Sequence, residues 1–185
     1  MRLEPDSWRR FLDSYERTAF RLETLPSYGV PEEDAELAAF LSTGTLDVPD
    51  DDQWLVRVRE FRATGRWVGR VHVVRRPLTD YLRYEFAVYA HTVRAGEDVR
   101  ILDVTDDPEP GLPQQDFWLL DDTRIVLMLY DADGRRIGRE LLDDVDPAPY
   151  VRWKRRAWER AVPFTEYRAM LDGWGRPRPG GAGTG

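Results

Sequence analysis

The chain has 185 residues, of which 42% are hydrophobic, 12% aromatic and 33% charged. This length and composition fit one globular domain and exclude an intrinsically disordered protein. The absence of cysteine excludes disulfides, thiolate metal ligands and a cysteine nucleophile, and the net charge of −7 opposes direct binding of nucleic acid, whose phosphates repel an acidic body.

The start of the chain is polar and acidic, and it lacks the cationic and apolar stretches of a secretory signal. No apolar run approaches the ~18 residues that are typical of a membrane-spanning helix. We therefore expect a cytoplasmic protein with no membrane partner.

The N-terminal part predicts two helices separated by an extended segment. Residues 7–19 have a helical pattern in which Trp8 and Leu12 share one face. An extended segment follows over residues 20–28. A second helix over residues 31–42 begins at a proline that is followed by acidic side chains.

Alternation of apolar and polar side chains predicts the next strands. Trp54, Val56 and Val58 alternate with other side chains over residues 54–61, and a second apolar run spans residues 67–74. A turn that contains glycine lies between the two runs. We expect them to pair as an antiparallel hairpin.

The central part predicts a long helix, a strand and a loop. The helix spans residues 78–95, with Thr79 as its N-terminal cap and Gly96 at its exit. A strand over residues 99–104 precedes a loop over residues 105–115, which is rich in proline.

Three further strands are expected, over residues 116–120, 124–130 and 135–142. The last of them follows Asp133–Gly134, which predicts a type I′ turn. Because tight turns join these strands, we expect them to pair with antiparallel neighbours.

The remaining sequence predicts helices over residues 147–162 and 165–171, and then a flexible tail over residues 173–185 that is rich in glycine and proline. The order of elements predicts an α+β fold with a single, mostly antiparallel β-sheet and helices packed mainly on one face. We expect one domain over residues 1–172.

Motifs that identify common enzymes are missing. The sequence has no GK[ST] phosphate loop, no GxSxG nucleophile elbow and no HExxH metal motif. It leaves open whether the protein is an enzyme, and it gives no reason to expect a metal or a cofactor.

Polar residues around the central helix predict a ligand-binding cleft. Asp80 and Arg83 share one face of this helix, and Tyr81 and Glu85 share the adjoining one. The candidate cleft residues are Arg70, His72, Asp80, Tyr81, Arg83, Glu85, Arg100, Asp116 and Trp118. The alternative is that these groups serve structure alone, for example through an Asp80–Arg83 pair within the helix.

The only basic run lies on the helix over residues 147–162 and predicts a partner-binding surface. Its candidate residues are Arg152, Trp153, Arg156 and Arg160, and arginine and tryptophan are enriched at interface hot spots. A solvated face that pairs with nearby acids is the alternative. Direct contact with a nucleic-acid backbone is a third reading, which the net charge disfavours.

Short motifs occur in an order that resembles a known family: RLE at residues 21–23, GRVHVVRRP at 69–77, DYLRYE at 80–85, AGE at 95–97 with VRIL at 99–102, and DFWLLD at 116–121 followed by MLYD at 128–131 and Gly134. Together they resemble an actinobacterial domain-of-unknown-function family, family 6879. The resemblance implies no established activity, and it implies that members are often encoded near helix-turn-helix regulators. The pattern that it implies contains Arg21, Glu23, Arg70, Asp80, Tyr81, Arg83, Glu85, Arg100, Asp116 and Trp118.

Two functions fit these observations. The first is a binding or regulatory accessory module that acts through protein contacts, with a helix-turn-helix regulator as a candidate partner. The second is an enzyme or small-ligand binder that uses the polar cleft, and it requires the cleft residues to converge on one pocket.

Overall fold

The computed structural model describes residues 1–107 and 109–174. The elements of this part are α1 (Pro5–Asp13), β1 (Thr18–Glu23), α2 (Asp34–Thr43), α3 (Gln53–Ala63), β2 (Trp67–Val74), α4 (Asp80–Ala95), β3 (Asp98–Asp103), β4 (Phe117–Leu120), β5 (Arg124–Tyr130), β6 (Arg136–Leu141), α5 (Ala148–Arg160), β7 (Val162–Pro163) and α6 (Phe164–Trp174). A short 3-10 turn, Pro31–Glu33, leads into α2.

Within the described residues, the strands form one mixed sheet in the order β6-β5-β4-β1-β2-β3-β7. The pairs β1–β2 and β2–β3 are parallel, and the other four pairs are antiparallel. The α+β class is therefore as predicted, but the sheet is mixed and only largely antiparallel. The parallel pairs arise because helices lie between β1, β2 and β3 along the chain, and such crossovers return the chain to the same end of the sheet.

The hairpin predicted from residues 54–61 is wrong, because these residues belong to helix α3. The side chain of Asp52 accepts hydrogen bonds from two backbone N–H groups of the first helical turn, at 2.9 and 3.0 Å. Leu55, Val58 and Phe61 are buried at a spacing of three residues, which is a helical period. The partners of β2 are consequently β1 and β3.

The first helix is shorter than predicted. It ends at Asp13 and not at residue 19, because Thr18 and Ala19 pair with Trp67 and Val68 at the start of the parallel β1–β2 ladder. The predicted extended segment therefore begins two residues early and becomes a central strand of the sheet.

Side chains of the sheet alternate between two faces, and most helices lie on the first face. There, Ala19, Val68 and Trp118 pack in one cluster with residues of α1 and α3. Further along the same face, Val74 and Ile101 pack in a cluster with residues of α4 and α6. This first face carries the polar site described below.

The second face of the sheet is covered by α5. Phe20, Leu22 and Val71 form a cluster there with Ala157 and Trp153. Phe20 and Leu22 alternate with the residues of β1 that face the other helices, so α5 and the polar site lie on opposite sides of the sheet.

The type I′ turn occurs at a different hairpin from the one predicted. A type I′ turn requires two successive residues with positive φ, and Asp121 and Asp122 provide it between β4 and β5, at 52° and 58°. The type I′ turn predicted at Asp133–Gly134 is wrong, since φ is positive only at Gly134. The carboxylate of Asp131 accepts hydrogen bonds from two N–H groups of that turn and holds it in a right-handed form.

Helix α6 extends to Trp174, so it includes the first residues of the predicted tail. Residues 175–185, which carry the rest of that prediction, lie outside the described residues. None of the helices in the described part is long and apolar enough to span a membrane.

Candidate functional site

Charged side chains occupy the centre of the sheet on its first face. Arg21 and Glu23 of β1 lie beside Arg70 and His72 of β2 in the parallel register. Arg21, Glu23 and His72 are buried, although they sit in the middle of the sheet where apolar residues are the rule. The carboxyl ends of parallel strands are common positions for ligand sites in α/β proteins, and Glu23 is the last residue of β1.

Ion pairs connect these strands to the residues that follow α4 and precede β4. We use the name ionic network for the set Arg21, Glu23, Arg70, Glu97 and Asp116. Arg70 donates from Nε to Glu97 at 2.6 Å and from Nη1 to Glu23 at 3.2 Å. Arg21 lies between Asp116 and Glu23, with its Nη2 3.2 Å from Asp116 and its Nε 3.3 Å from Glu23.

Neutral donors complete the ionic network. The hydroxyl of Tyr28 donates to Asp116 at 2.6 Å, and the backbone N–H and hydroxyl of Thr24 donate to it at 2.8 Å each. The indole N–H of Trp54, on α3, donates to Glu97 at 2.9 Å. The network thus connects β1, β2 and α3 with the residues that precede β3 and β4. Its hydrogen bonds are charge-assisted and therefore stronger than neutral ones.

The arrangement keeps Glu23 ionised. Burial alone would raise its pKa, but the charges of Arg70 and then Arg21 outweigh burial and lower the pKa of Glu23 to about 2. The network carries two guanidinium groups against three carboxylates, so a further anion has no place within it.

His72 lies beneath the network and is fully buried. Its Nε2 is 3.1 Å from the carbonyl oxygen of Leu25, which only accepts, so Nε2 carries a proton. Its Nδ1 is 2.7 Å from the hydroxyl of Tyr89, and that hydroxyl is also 3.0 Å from Glu23. The single hydroxyl proton of Tyr89 is therefore shared between two acceptors when His72 is neutral.

A pocket of about 480 Å³ opens above the ionic network. Arg21, Glu23 and Arg70 form its floor. Helices α1, α2, α3 and α4 and strand β6 surround it. This volume lies within the range of small-molecule sites.

One side of the pocket is cationic and aromatic. We call Trp8, Arg136 and Arg139 the cationic wall. The guanidinium of Arg139 lies 5.5 Å from the ring centre of Trp8. Trp8 in turn packs at 5.8 Å against Trp118, whose ring also holds the guanidinium of Arg21 at 5.6 Å. Stacking on aromatic faces orients these arginines without consuming their hydrogen-bond donors.

The other side of the pocket is acidic, and we call Glu33, Glu36 and Glu85 the acidic wall. The hydroxyl of Tyr81 donates to Glu85 at 2.9 Å and lies 3.1 Å from Glu33, and the hydroxyl of Tyr84 donates to Glu36. Burial, followed by the charge of Glu23, raises the pKa of Glu85 to about 7. Burial also raises the pKa of Glu33.

Six of the nine predicted cleft residues gather around this pocket. Arg70, Glu85 and Trp118 line it, Tyr81 supports Glu85, and His72 and Asp116 lie beneath its floor. Arg100, Asp80 and Arg83 do not belong to it. Arg100 stacks on Trp158 of α5 at 4.1 Å and lies 3.6 Å from Asp98.

Asp80 and Arg83 form the exposed pair within the helix that was the structural alternative, at 3.5 Å. Both side chains are more than 60% exposed. They point away from the pocket because Tyr81, Leu82 and Tyr84, on the other side of α4, are buried.

Several pocket residues were absent from the predicted site. Arg21, Glu23 and Glu97 were noticed only in motifs of the family resemblance, and Arg136 and Arg139 were not singled out. The usable signal for Arg21 and Glu23 was that one charge interrupts the apolar run Ala19–Leu22 and the other follows it directly, which a central strand rarely tolerates without partners. Nothing in the local sequence distinguishes Arg139 from Arg136, the other arginine of β6.

The predicted partner-binding residues lie on α5, on the far side of the sheet. Arg156 and Arg160 donate to the carbonyl oxygen of Pro110 at 2.6 and 2.9 Å and so hold the proline-rich loop. Trp153 packs against Phe117 and is partly buried. Arg152 is exposed and has no ion pair with a described residue. Their role in binding a partner stays a prediction.

Lys154, the only lysine in the sequence, also lies on α5. It is 2.7 Å from Asp122 and stands over the ring of Trp67. This part of α5 is therefore fastened to the β4–β5 turn by an ion pair.

Among the described residues, no group of three or more histidine, aspartate or glutamate side chains is arranged to hold a metal ion. The Glu33–Glu85 side of the pocket has carboxylates, but their contacts are with tyrosine hydroxyls. The groups that the pocket offers to a ligand are therefore guanidinium, carboxyl and aromatic groups.

The fold and the site define an α+β domain that has a mixed sheet, a buried ionic network and a polar pocket. A family model described as a domain of unknown function (DUF6879) matches residues 6–169, so the chain belongs to that family. The family inferred from these short motifs is thereby confirmed. No curated protein matches the chain.

Proposed function

We propose that this protein is a binding domain for a small polar molecule, which it holds in the pocket above the ionic network. The observation that carries the proposal is the composition of the pocket floor: buried charges that are almost completely paired with one another, beneath an opening of about 480 Å³. A fully bonded network is rigid, and rigid polar groups reduce the entropic cost of binding.

The second candidate is the regulatory accessory module that acts through protein contacts. The observation that favours it is Arg152, an exposed arginine of α5 with no ion pair in the described part of the chain. A helix-turn-helix regulator with an acidic surface is a suitable partner. Binding of such a regulator should weaken several-fold in Arg152→Glu, and an unchanged affinity would remove α5 as the contact.

The first candidate is tested with a thermal-shift screen of a broad metabolite library. A ligand that binds only the folded state raises the melting temperature by mass action. Val88 lines the pocket from α4, and Val88→Trp should fill it. We expect at least one compound to stabilise the wild type and to lose its effect in Val88→Trp.

The matched control adds a tryptophan elsewhere. Val145 is 43% exposed on a surface loop, and Val145→Trp should respond to the compound like the wild type. A compound that stabilises Val88→Trp as well as the wild type does not bind in this pocket. A library without any stabilising compound would refute the proposed function.

A further inference from the structure

Arg139 is a half-buried cation of the pocket that no acid of the described residues pairs with. Its side chain forms no ion pair and no side-chain hydrogen bond with the described residues, and its Nε is buried without a partner. By contrast, the two arginines of the floor, Arg21 and Arg70, each contact two carboxylates of the ionic network. A buried guanidinium donor without a partner is unfavourable, so its retention indicates a role that a ligand completes.

The surroundings of Arg139 favour an anion. It stacks on Trp8, which fixes the plane of its guanidinium. Burial, together with the nearby positive charges of Arg136 and Arg21, lowers the pKa of Arg139 to about 10. An anion placed at this wall would therefore be attracted by three guanidinium groups.

Carboxylate and phosphate both match the two parallel donors of a guanidinium. The acidic wall decides between them. A phosphate dianion would face Glu33, Glu36 and Glu85 across the pocket and be repelled, whereas a carboxylate has a single charge. An ammonium group on the same molecule would find acceptors at that wall.

The two walls are close enough for one small molecule to reach both. Arg136 adds a positive charge near Arg139, and the same charge partly offsets the rise that burial causes in the pKa of Glu33. Glu36 and Arg139 both line the same pocket of about 480 Å³. A compound the size of an amino acid fits these dimensions.

We propose that the pocket binds a small amino acid or a related zwitterion, with its carboxylate on Arg139 and its ammonium group toward the acidic wall. This inference rests on the proposed function and specifies the chemical class of its ligand. Arg139 acts as the anchor, while Arg21 and Arg70 keep the floor rigid through their carboxylate partners.

The test uses the whole protein and three forms of each of the common amino acids: the free acid, the primary amide, which lacks the carboxylate, and the N-acetyl acid, which lacks the ammonium group. Binding is followed by calorimetry and by the fluorescence of the pocket tryptophans. We expect at least one free amino acid to bind, and its amide and its N-acetyl form to bind at least tenfold more weakly.

Arg139→Gln should weaken binding of that amino acid at least tenfold, and Arg139→Lys should have an intermediate effect because it keeps the charge without the paired donors. Arg155→Gln, at an exposed position of α5 on the opposite side of the sheet, removes the same charge and should bind like the wild type. A second readout separates ligand binding from structure: without ligand, Arg139→Gln should melt at the same temperature as the wild type or higher, because an unpaired buried charge is removed.

Five results would overturn the inference. The amide binding as tightly as the free acid would exclude the carboxylate contact, and a folded Arg139→Gln with unchanged affinity would exclude the anchor. Inorganic phosphate that competes with equal affinity would show an unselective anion site. A ligand of another class that Val88→Trp blocks would refute this inference but leave the proposed function intact, and an empty library screen would refute both.

Discussion

Glu85 shows how the environment of one residue changes its chemistry. It lies half-buried on α4, where burial and the charge of Glu23 raise its pKa to about 7. Its carboxyl oxygen receives a hydrogen bond from Tyr81. Near neutral pH this group is therefore divided between its protonated and ionised forms, unlike Glu23 on the floor of the same pocket, whose pKa is about 2.

The raised pKa of Glu85 predicts how stability changes with pH. Between about pH 4.5 and pH 7 the unfolded chain releases this proton while the folded protein keeps it, so folding is weakened as the pH rises through that window. Glu85→Gln should remove this dependence. We expect the variant to gain on the order of 1–2 kcal/mol relative to the wild type between pH 4.5 and pH 8, measured by urea unfolding.

Glu60→Gln is the control for the loss of one carboxyl group, because Glu60 is exposed on α3 and has no ion pair among the described residues. Its stability difference from the wild type should not vary over the same pH range. If Glu85→Gln follows the wild-type profile, the raised pKa is wrong.

The site illustrates what single residues reveal before a structure is known. Glu85, Arg70 and Trp118 were predicted because polar and aromatic types clustered near one helix, and they do line the pocket. Arg139 could not be predicted, since its importance comes from the absence of a nearby acid in three dimensions. Arg83 was placed in the cleft although it lies outside the pocket. Its spacing of three residues from Asp80 predicts that the two side chains pair on one helix face, but it does not show whether that face lines the pocket.

Helix α3 depends on a local signal at its start. Asp52 accepts hydrogen bonds from two backbone N–H groups of the first turn, which otherwise have no partner within the helix. Asp52→Ala should therefore destabilise the protein by about 1 kcal/mol. The change should appear as a lower midpoint of urea unfolding with an unchanged slope.

The neighbouring Asp51 offers a matched control, because its side chain is exposed and forms no hydrogen bond with the described residues. Asp51→Ala should change the stability by less than about 0.5 kcal/mol. Equal losses in the two variants would mean that the cap contributes nothing beyond its charge.

Elements with strong boundary signals were predicted well, and α3 was not. The capped helix α4 and the apolar strand β5 lie within a few residues of their predicted positions. In α3, Trp54, Val56 and Val58 match an alternating strand pattern, while Leu55, Val58 and Phe61 match a helix, so the short window fits both periods. Because of that error, the parallel pairing of β1 with β2 was missed. A helix between two strands lets them pair in parallel, whereas a tight turn allows only antiparallel pairing.

At the scale of the whole molecule, the ionic network connects elements that are distant in sequence. Arg70 of β2 joins Glu23 of β1 to Glu97 before β3, and Trp54 of α3 contacts the same Glu97. Loss of one member leaves the remaining charges buried without partners. This destabilises the fold more than replacing the whole ion pair with apolar side chains.

Arg70→Met should therefore destabilise the protein by about 3–5 kcal/mol at pH 7, as removal of one partner from a buried pair typically does. The loss should shrink below pH 4.5, where the abandoned carboxyl groups can take up protons. Chemical unfolding at several pH values measures both effects.

Arg83→Met is the corresponding change at an exposed pair and should cost less than about 1 kcal/mol, because surface ion pairs contribute little. If Arg70→Met and Arg83→Met lose similar amounts of stability, the ionic network does not stabilise the fold more than a surface ion pair does.

Lys154 has a practical consequence for experiments with this protein. It supplies the only side-chain primary amine in the sequence, and α5 places it on the side of the sheet opposite the pocket. Its pairing with Asp122 leaves 19% of the side chain accessible, so this is the one side chain that amine-coupling reagents can modify, and the reaction there should be slow. Protein tethered to a sensor surface through this amine would present the mouth of the pocket to the solution.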